Sequence, residues 1–261
     1  MILQIFATPK YHNLIVAMEV SMFLLEKNAY SKVISIFSNM FDYDITVKMA
    51  LTNNQGFIYV DDLVNPETAY IEMEWGFYYL SGKYNDQFLN TVINHILIDI
   101  VPKQTIHDMA FIFSDSDIWL NVIDQKLVDY EHSKSKRLNL KLNKEKFLQQ
   151  KSTFEKLPEN YELQLNTEEE KVDVLYMGNW IGCCERGSTG TIAECDVFLK
   201  ENHRQKGIAT LMCTKFIEYH LSQGNELTWS CWEANVPSCK LAIKLGFELY
   251  KESYAITAKV K

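Results

Sequence analysis

A chain of 261 residues, 47% hydrophobic and 23% charged, has an ordinary globular composition and is long enough for two cores. Its formal net charge of −8 repels phosphate backbones and anionic lipid, so neither nucleic acid nor a membrane surface is an expected partner. The 6 cysteines include no Cys-x-x-Cys pair, and no apolar run reaches spanning length, so a reduced, cytoplasmic protein with free thiols and no metal is expected. Leu14, Met18, Met22 and Leu25 recur at helical spacing, and the stretch 14–25, interrupted by Glu19 and Ser21, reads as a buried helix rather than a secretory signal. Ile34, Ile36 and Phe37 continue an apolar face after Ser31. Residues 57–60 form a short strand ending at Asp61 and Asp62, and 69–75 and 77–80 predict two strands joined at Gly76. A helix is predicted over 85–101, halted by Pro102. Residues 109–113 read as a buried strand, Ser116 as the cap of a helix to Gln125, and 138–142 as an alternating strand.

The charged stretch 143–160 reads as a join, giving an N-terminal unit over 1–150 and a second unit over 151–261. In the second unit a strand at 161–165 precedes a strand pair within 172–184 that turns near Gly178 and Asn179. A strand at 191–199, a helix at 208–222 closed by Gly224, a strand at 227–232, a helix at 237–245 and one or two strands over 248–260 complete it. The first unit shows a vaguer version of the same order. It reads either as a degenerate copy of the second or as an unrelated α/β domain.

The chemistry concentrates where the strand 191–199 enters a basic turn and then a helix at Ile208. Successive amides of such a turn point into one concavity, and the helix start adds unsatisfied donors and a positive dipole end. Gly207 allows close backbone approach to a bulky pyrophosphate, Ala209 keeps the first helical turn slim, and Arg204 and Lys206 add charge. Asn202 stands where a P-loop would need its first glycine, so a P-loop is excluded.

This segment resembles the signature of the GNAT N-acetyltransferases, Arg/Gln-x-x-Gly-x-Gly/Ala, here Arg204, Gly207 and Ala209. The family's second element, an Asn, a helix and Gly-Phe, is matched by Asn235 and by Gly246 with Phe247. The resemblance implies an α/β (α+β) fold in 151–261, with a mixed, mostly antiparallel sheet flanked by helices. It implies acetyl-CoA as co-substrate and a small primary amine as acceptor. Backbone groups of Val197, Phe198 and Leu199 would pair with the pantetheine arm. The amides of Gln205, Lys206, Gly207, Ile208, Ala209 and Thr210 would hold the pyrophosphate, with Arg204 beside them. Asn235 would lie near the thiol end and Ser238 within hydrogen-bond reach, although Asn235 equally fits a helix N-cap. The two-part layout looks like a bacterial branch whose divergent first unit walls the acceptor pocket or mediates dimerisation.

An amine attacking a thioester needs a proton acceptor. Glu194 and Asp196, two apart on a strand, face the same way, and Glu194 is the first candidate. Many family members carry the acid one residue earlier, where this chain has Ala193, a phase that a bulge would repair. Solvated strand carboxylates are the alternative. The Tyr that the family uses to protonate the thiolate falls on Ala242, leaving Tyr250 or Tyr254 as substitutes. Cys195 and Cys231 read as packing thiols, and Trp229 and Trp232 as pocket wall or core. The competing functions are a non-catalytic acyl-CoA binding or regulatory protein, and an acyltransferase with another acyl chain or a hydroxyl acceptor.

Overall fold

The computed structural model describes residues 22–105, 108–154, 156–188 and 190–260. Strand β1 (Phe23–Leu24) leads through a 3-10 turn (Lys27–Val33) to helices α1 (Ser38–Phe41) and α2 (Ile45–Asn53). Strands β2 (Phe57–Val60), β3 (Thr68–Glu72) and β4 (Phe77–Gly82), helix α3 (Asp86–Asn94), strand β5 (Met109–Ser114), helix α4 (Asp117–Lys126) and the long β6 (Glu131–Leu142) follow. After α5 (Lys144–Lys151) come β7 (Tyr161–Asn166), β8 (Lys171–Tyr176), β9 (Asn179–Arg186), β10 (Ile192–Leu199), α6 (Ile208–Ser222), β11 (Glu226–Trp232), α7 (Val236–Lys244) and β12 (Phe247–Lys259).

Among the described residues these strands form one sheet, in the order β1-β2-β3-β4-β5-β12-β6-β11-β10-β9-β8-β7. Reading inward from each edge gives the same pattern. Antiparallel neighbours lead to a parallel pair, β4 with β5 and β10 with β11, each joined by a crossover helix. Each unit then sends its last strand into the other: β6 pairs with β11 and β12 with β5. The two exchanged strands pair with each other antiparallel along their lengths, with one irregularity between Leu249 and Lys251. The first unit therefore repeats the second strand for strand, which favours related halves over an unrelated α/β domain. The join at 143–160 is no break in the sheet, because β6, which precedes it, is hydrogen-bonded inside the second unit.

Alternation along the strands sorts the side chains into two faces. On one face α3 and α4 pack on Tyr78, Ile112 and Ile256, while α5, α6 and α7 pack on Leu140, Ala193 and Trp229. On the other face α1, α2 and the 3-10 turn cover the first unit, over Ile58, Tyr79 and Phe113. Gly246 closes α7 at φ +88°, and a Cβ there would lie 2.7 Å from the Phe147 amide nitrogen, so glycine is what lets α5 dock against the end of α7.

Three expectations need correction. Of the helix expected over 14–25, residues 14–21 lie outside the described residues, and Phe23 and Leu24 form a strand paired with β2. The helix expected over 85–101 is α-helical only to Asn94. It widens to a π-helix over His95–Ile100, and Pro102 sits in a short 3-10 turn. β6 starts at Glu131, well before 138.

Candidate functional site

β10 is shared between two partners. Its first residues, Ile192 to Glu194, pair in parallel with β11, and from Cys195 to Leu199 its register is with β9 alone. The sheet thus opens as a V whose closed end is at Glu194. Lys200 donates to the Ile181 carbonyl (2.9 Å) and Gly187 to the Glu194 carbonyl (2.9 Å), which fixes the phase of the β9 ladder. Antiparallel pairing alternates, so Phe198 and Asp196 turn their backbone groups to β9, while Val197 and Leu199 turn theirs into the V, and the Cys195 amide closes the ladder to Thr228 of β11. This amends the expectation for Phe198. Its side chain instead stacks on Trp180 with ring centroids 5.7 Å apart. The close approach of β9 is permitted by Gly182, where a Cβ would stand 2.4 Å from the Phe198 carbonyl oxygen.

The turn after β10 is braced from within. Arg204 Nε donates to the Leu199 carbonyl (2.8 Å) and Lys206 Nζ to the Asn202 carbonyl (2.9 Å). Gln205 and Gly207 hold φ at +61° and +77°, a left-handed pair that turns the following amides toward one side. Among the described residues the amides of 205–210 donate to no backbone carbonyl, and Leu211 is the first to bond back, to Gly207 (3.3 Å). Nothing lies within 4 Å of a Cβ built on Gly207. Free donors around an open concavity at the start of a 15-residue helix fit the pyrophosphate of a coenzyme A.

Glu194 and Asp196 face the same side of the sheet, opposite α6, with Cys195 turned into the core between them. Asp196 is exposed. Burial pushes the Glu194 carboxyl up to about 7, against Arg137 and the nearby Ser230 hydroxyl, which lower it; Asp44 and Asp196 raise it further. Glu194 Oε1 and Thr228 Oγ1, neighbours across β10 and β11, are buried polar atoms with no hydrogen-bond partner among the described residues. From Ser230 a polar chain crosses the sheet. Ser230 Oγ donates to Asn139 Oδ1 (3.3 Å), and the buried Asn139 donates through Nδ2 to Ser253 Oγ (3.0 Å). A cavity of about 620 Å³ lies at the far end of this chain, bounded by Tyr43, Asp115, Tyr250 and Ser253, and it includes neither the V nor Glu194.

On α7, Asn235 Oδ1 accepts from the Ser238 amide (3.3 Å), which is the N-cap role, and Ser238 Oγ accepts from Trp229 Nε1 (3.0 Å). Trp229 is core, whereas Trp232 stands on the Glu194 face. Ala242 is buried, and Tyr254 packs on the helix-covered face of the first unit, away from Glu194. Cys195 and Cys231 are buried in the second unit's core, and burial raises both thiols, Cys231 to about 12.

A family model described as GNAT acetyltransferase matches residues 35–181 and 174–256, most of the chain and both units. The chain belongs to the GNAT acetyltransferase family. An uncharacterized N-acetyltransferase of Bacillus subtilis, YdfB, is 25% identical over 254 residues, spanning 87% of this chain and 95% of the relative. A solved GCN5-related N-acetyltransferase-like protein of Streptococcus suis superposes with TM-score 0.69 at 18% identity, over 90% of this chain and all of its own. A GCN5-related N-acetyltransferase of Sphaerobacter thermophilus gives 0.62 at 10% identity, over 91% and 94%.

Within this GNAT pair of units, the first lacks the second's cradle. Only residues 83–85 separate β4 from α3. There the Lys83 amide is spent on the Glu67 carbonyl (2.9 Å), and Asn85 Oδ1 caps α3 by accepting from the Phe88 amide (3.1 Å). Asp86 opens the helix with the charge that a pyrophosphate would meet. Sequence reasoning missed Arg137. It lies on β6, in the first unit, and reaches the Glu194 face only through the strand exchange.

Proposed function

We propose that this protein transfers the acetyl group of acetyl-CoA to the primary amine of a small acceptor. The observation that carries the proposal is the opening of β10 from β11 directly after a half-buried glutamate, leading into a ring of free amides. In this reading 151–261 hold the acyl-CoA. The pantetheine arm pairs as an added strand with the backbone groups of Val197 and the Leu199 amide, and its pyrophosphate takes the amides of 205–210. Arg204 and Lys206 give the turn its positive charge. Ser238 keeps a hydroxyl proton to donate, because its oxygen accepts from Trp229. Residues 1–150 wall the acceptor side, through β6 and the aromatic residues beside it.

An alkylammonium has a pKa of about 10.4, so freeing its lone pair at neutral pH costs ~4 kcal/mol. Glu194, with its carboxyl at about 7, is the proton acceptor: it is ionised in a useful fraction at neutral pH and basic enough to take the proton. The neutral amine then attacks the thioester carbonyl, and the coenzyme leaves as a thiolate. Thiols titrate near ~8.5, so that departure proceeds without a dedicated acid where Ala242 replaces the family's tyrosine. The buried Ala242 also supports a second reading, an acyl-CoA binding or regulatory protein without turnover. Thiol release from acetyl-CoA across a panel of amines separates the two. Amine-dependent release supports transfer, and tight coenzyme binding with no release for any amine overturns it.

A further inference from the structure

The Arg137 guanidinium lies over the rings of Phe77 (5.2 Å) and Trp232 (5.4 Å), and Trp232 is itself stacked on Phe111 and Phe113. A guanidinium held over aromatic rings keeps the N–H donors in its own plane available to an acceptor. Two carboxylates are within electrostatic reach, Asp44 and Glu194. Among the described residues neither forms an ion pair with it and no acceptor takes its N–H groups. Asp44 turns Oδ1 elsewhere: that oxygen accepts from the Thr46 and Val47 amides and the Tyr79 hydroxyl, capping α2. A half-buried cation with its donor fork unspent, on the same face as the proposed base, is a seat for an anion.

The register sets the distance. Arg137 is level with Trp232, and Lys141 with Thr228, which is in turn level with Glu194. The two rows are four residues apart along β6, about 13 Å between backbones, yet the Arg137 and Glu194 charges lie within electrostatic reach of each other. A molecule bridging them needs a cation at one end and a planar oxyanion at the other, a few bonds apart. We infer that the acceptor is an amine that also carries a carboxylate, of amino-acid size, with the carboxylate forked onto Arg137 and the amine at Glu194. The polar row of Ser230, Asn139 and Ser253 flanks its backbone, and Trp232 with Phe77 offers an apolar wall to its side chain. The inference rests on the acetyl-transfer reading for the role of Glu194, but the anion seat stands on Arg137 alone.

The test uses the full chain loaded with coenzyme A and, as probes, amino acids paired with their decarboxylated amines, such as phenylalanine with phenethylamine. Thermal shift reports binding without turnover. Amino acids raise Tm and their decarboxylated partners do so less; an equal or reversed order overturns the inference. With acetyl-CoA, the ratio of kcat/KM for an amino acid over its amine is on the order of tenfold to a hundredfold, the worth of a charge-assisted fork. In Arg137→Gln that ratio falls toward unity, and Arg137→Lys, which keeps the charge without the fork, lies between. A ratio unchanged in both variants overturns the assignment. Amino acids that bind without releasing thiol leave the seat standing and sink the transfer reading. Release with carboxylate-free amines only does the reverse.

Discussion

Replacing Glu194 with Gln removes a charge and a base while keeping the volume, and the two consequences are separable by pH. The carboxyl ordinarily titrates at 4.5 and burial carries it to about 7. The folded state therefore holds this proton more tightly than the unfolded chain does. Stability from that preference is fully present below 4.5 and is lost as pH rises through about 7. The whole shift amounts to ~3 kcal/mol, which the ionised glutamate costs the fold and a glutamine does not. Urea unfolding at about pH 5 and about pH 8.5 should show Glu194→Gln gaining on the wild type between the two, by up to ~3 kcal/mol. Over the same range wild-type kcat/KM should climb with pH and level off above about pH 7, as a base must first lose its proton. In the variant kcat/KM should fall by roughly 10²–10⁴ and that bend should disappear. A bend that survives in Glu194→Gln would show that another group takes the proton. Identical pH dependence of stability in both proteins would show that Glu194 is not desolvated.

Three glycines at positive φ test the rest of the frame. Gly207→Glu projects a carboxylate into the space where the pyrophosphate is argued to sit, so coenzyme A affinity should drop by about tenfold or more by calorimetric titration. Gly178→Glu, with comparable backbone strain and equally open space but in the β8–β9 turn, should leave that affinity as it was. Gly246→Ala meets the backbone of Phe147 at a φ that L-residues avoid, and urea unfolding should show a loss of about 2 kcal/mol or more. A loss within ~0.5 kcal/mol would mean that α5 moves aside freely.

The second unit was legible because its signals are local. Apolar alternation marks β10 and β11, glycine and charge mark the turn at 204–207, and Asn235 announces α7. β6 was half hidden because its early residues carry no apolar period: Ser133, Ser135 and Arg137 face one side, His132, Lys134 and Lys136 the other. These early residues are held by the ladder to β12 rather than by burial of their own side chains. The π-helical stretch at 95–100 inserts extra backbone that a 3.6-residue period cannot register. Arg137 was invisible for a topological reason. Nothing near it in the chain suggests a site, and the exchange of β6 and β12 brings it to the face of Glu194 only in three dimensions.

The account stands on a coenzyme seated along β10 and over the amides that begin α6. Hydrogen exchange of the full chain, with and without coenzyme A, reads those amides directly. Protection should appear at Val197 and Leu199 and across 205–210, and the turn at 83–85 in the first unit should exchange as before. Exchange unchanged over 205–210 in saturating coenzyme A would contradict the account, as would protection confined to the first unit.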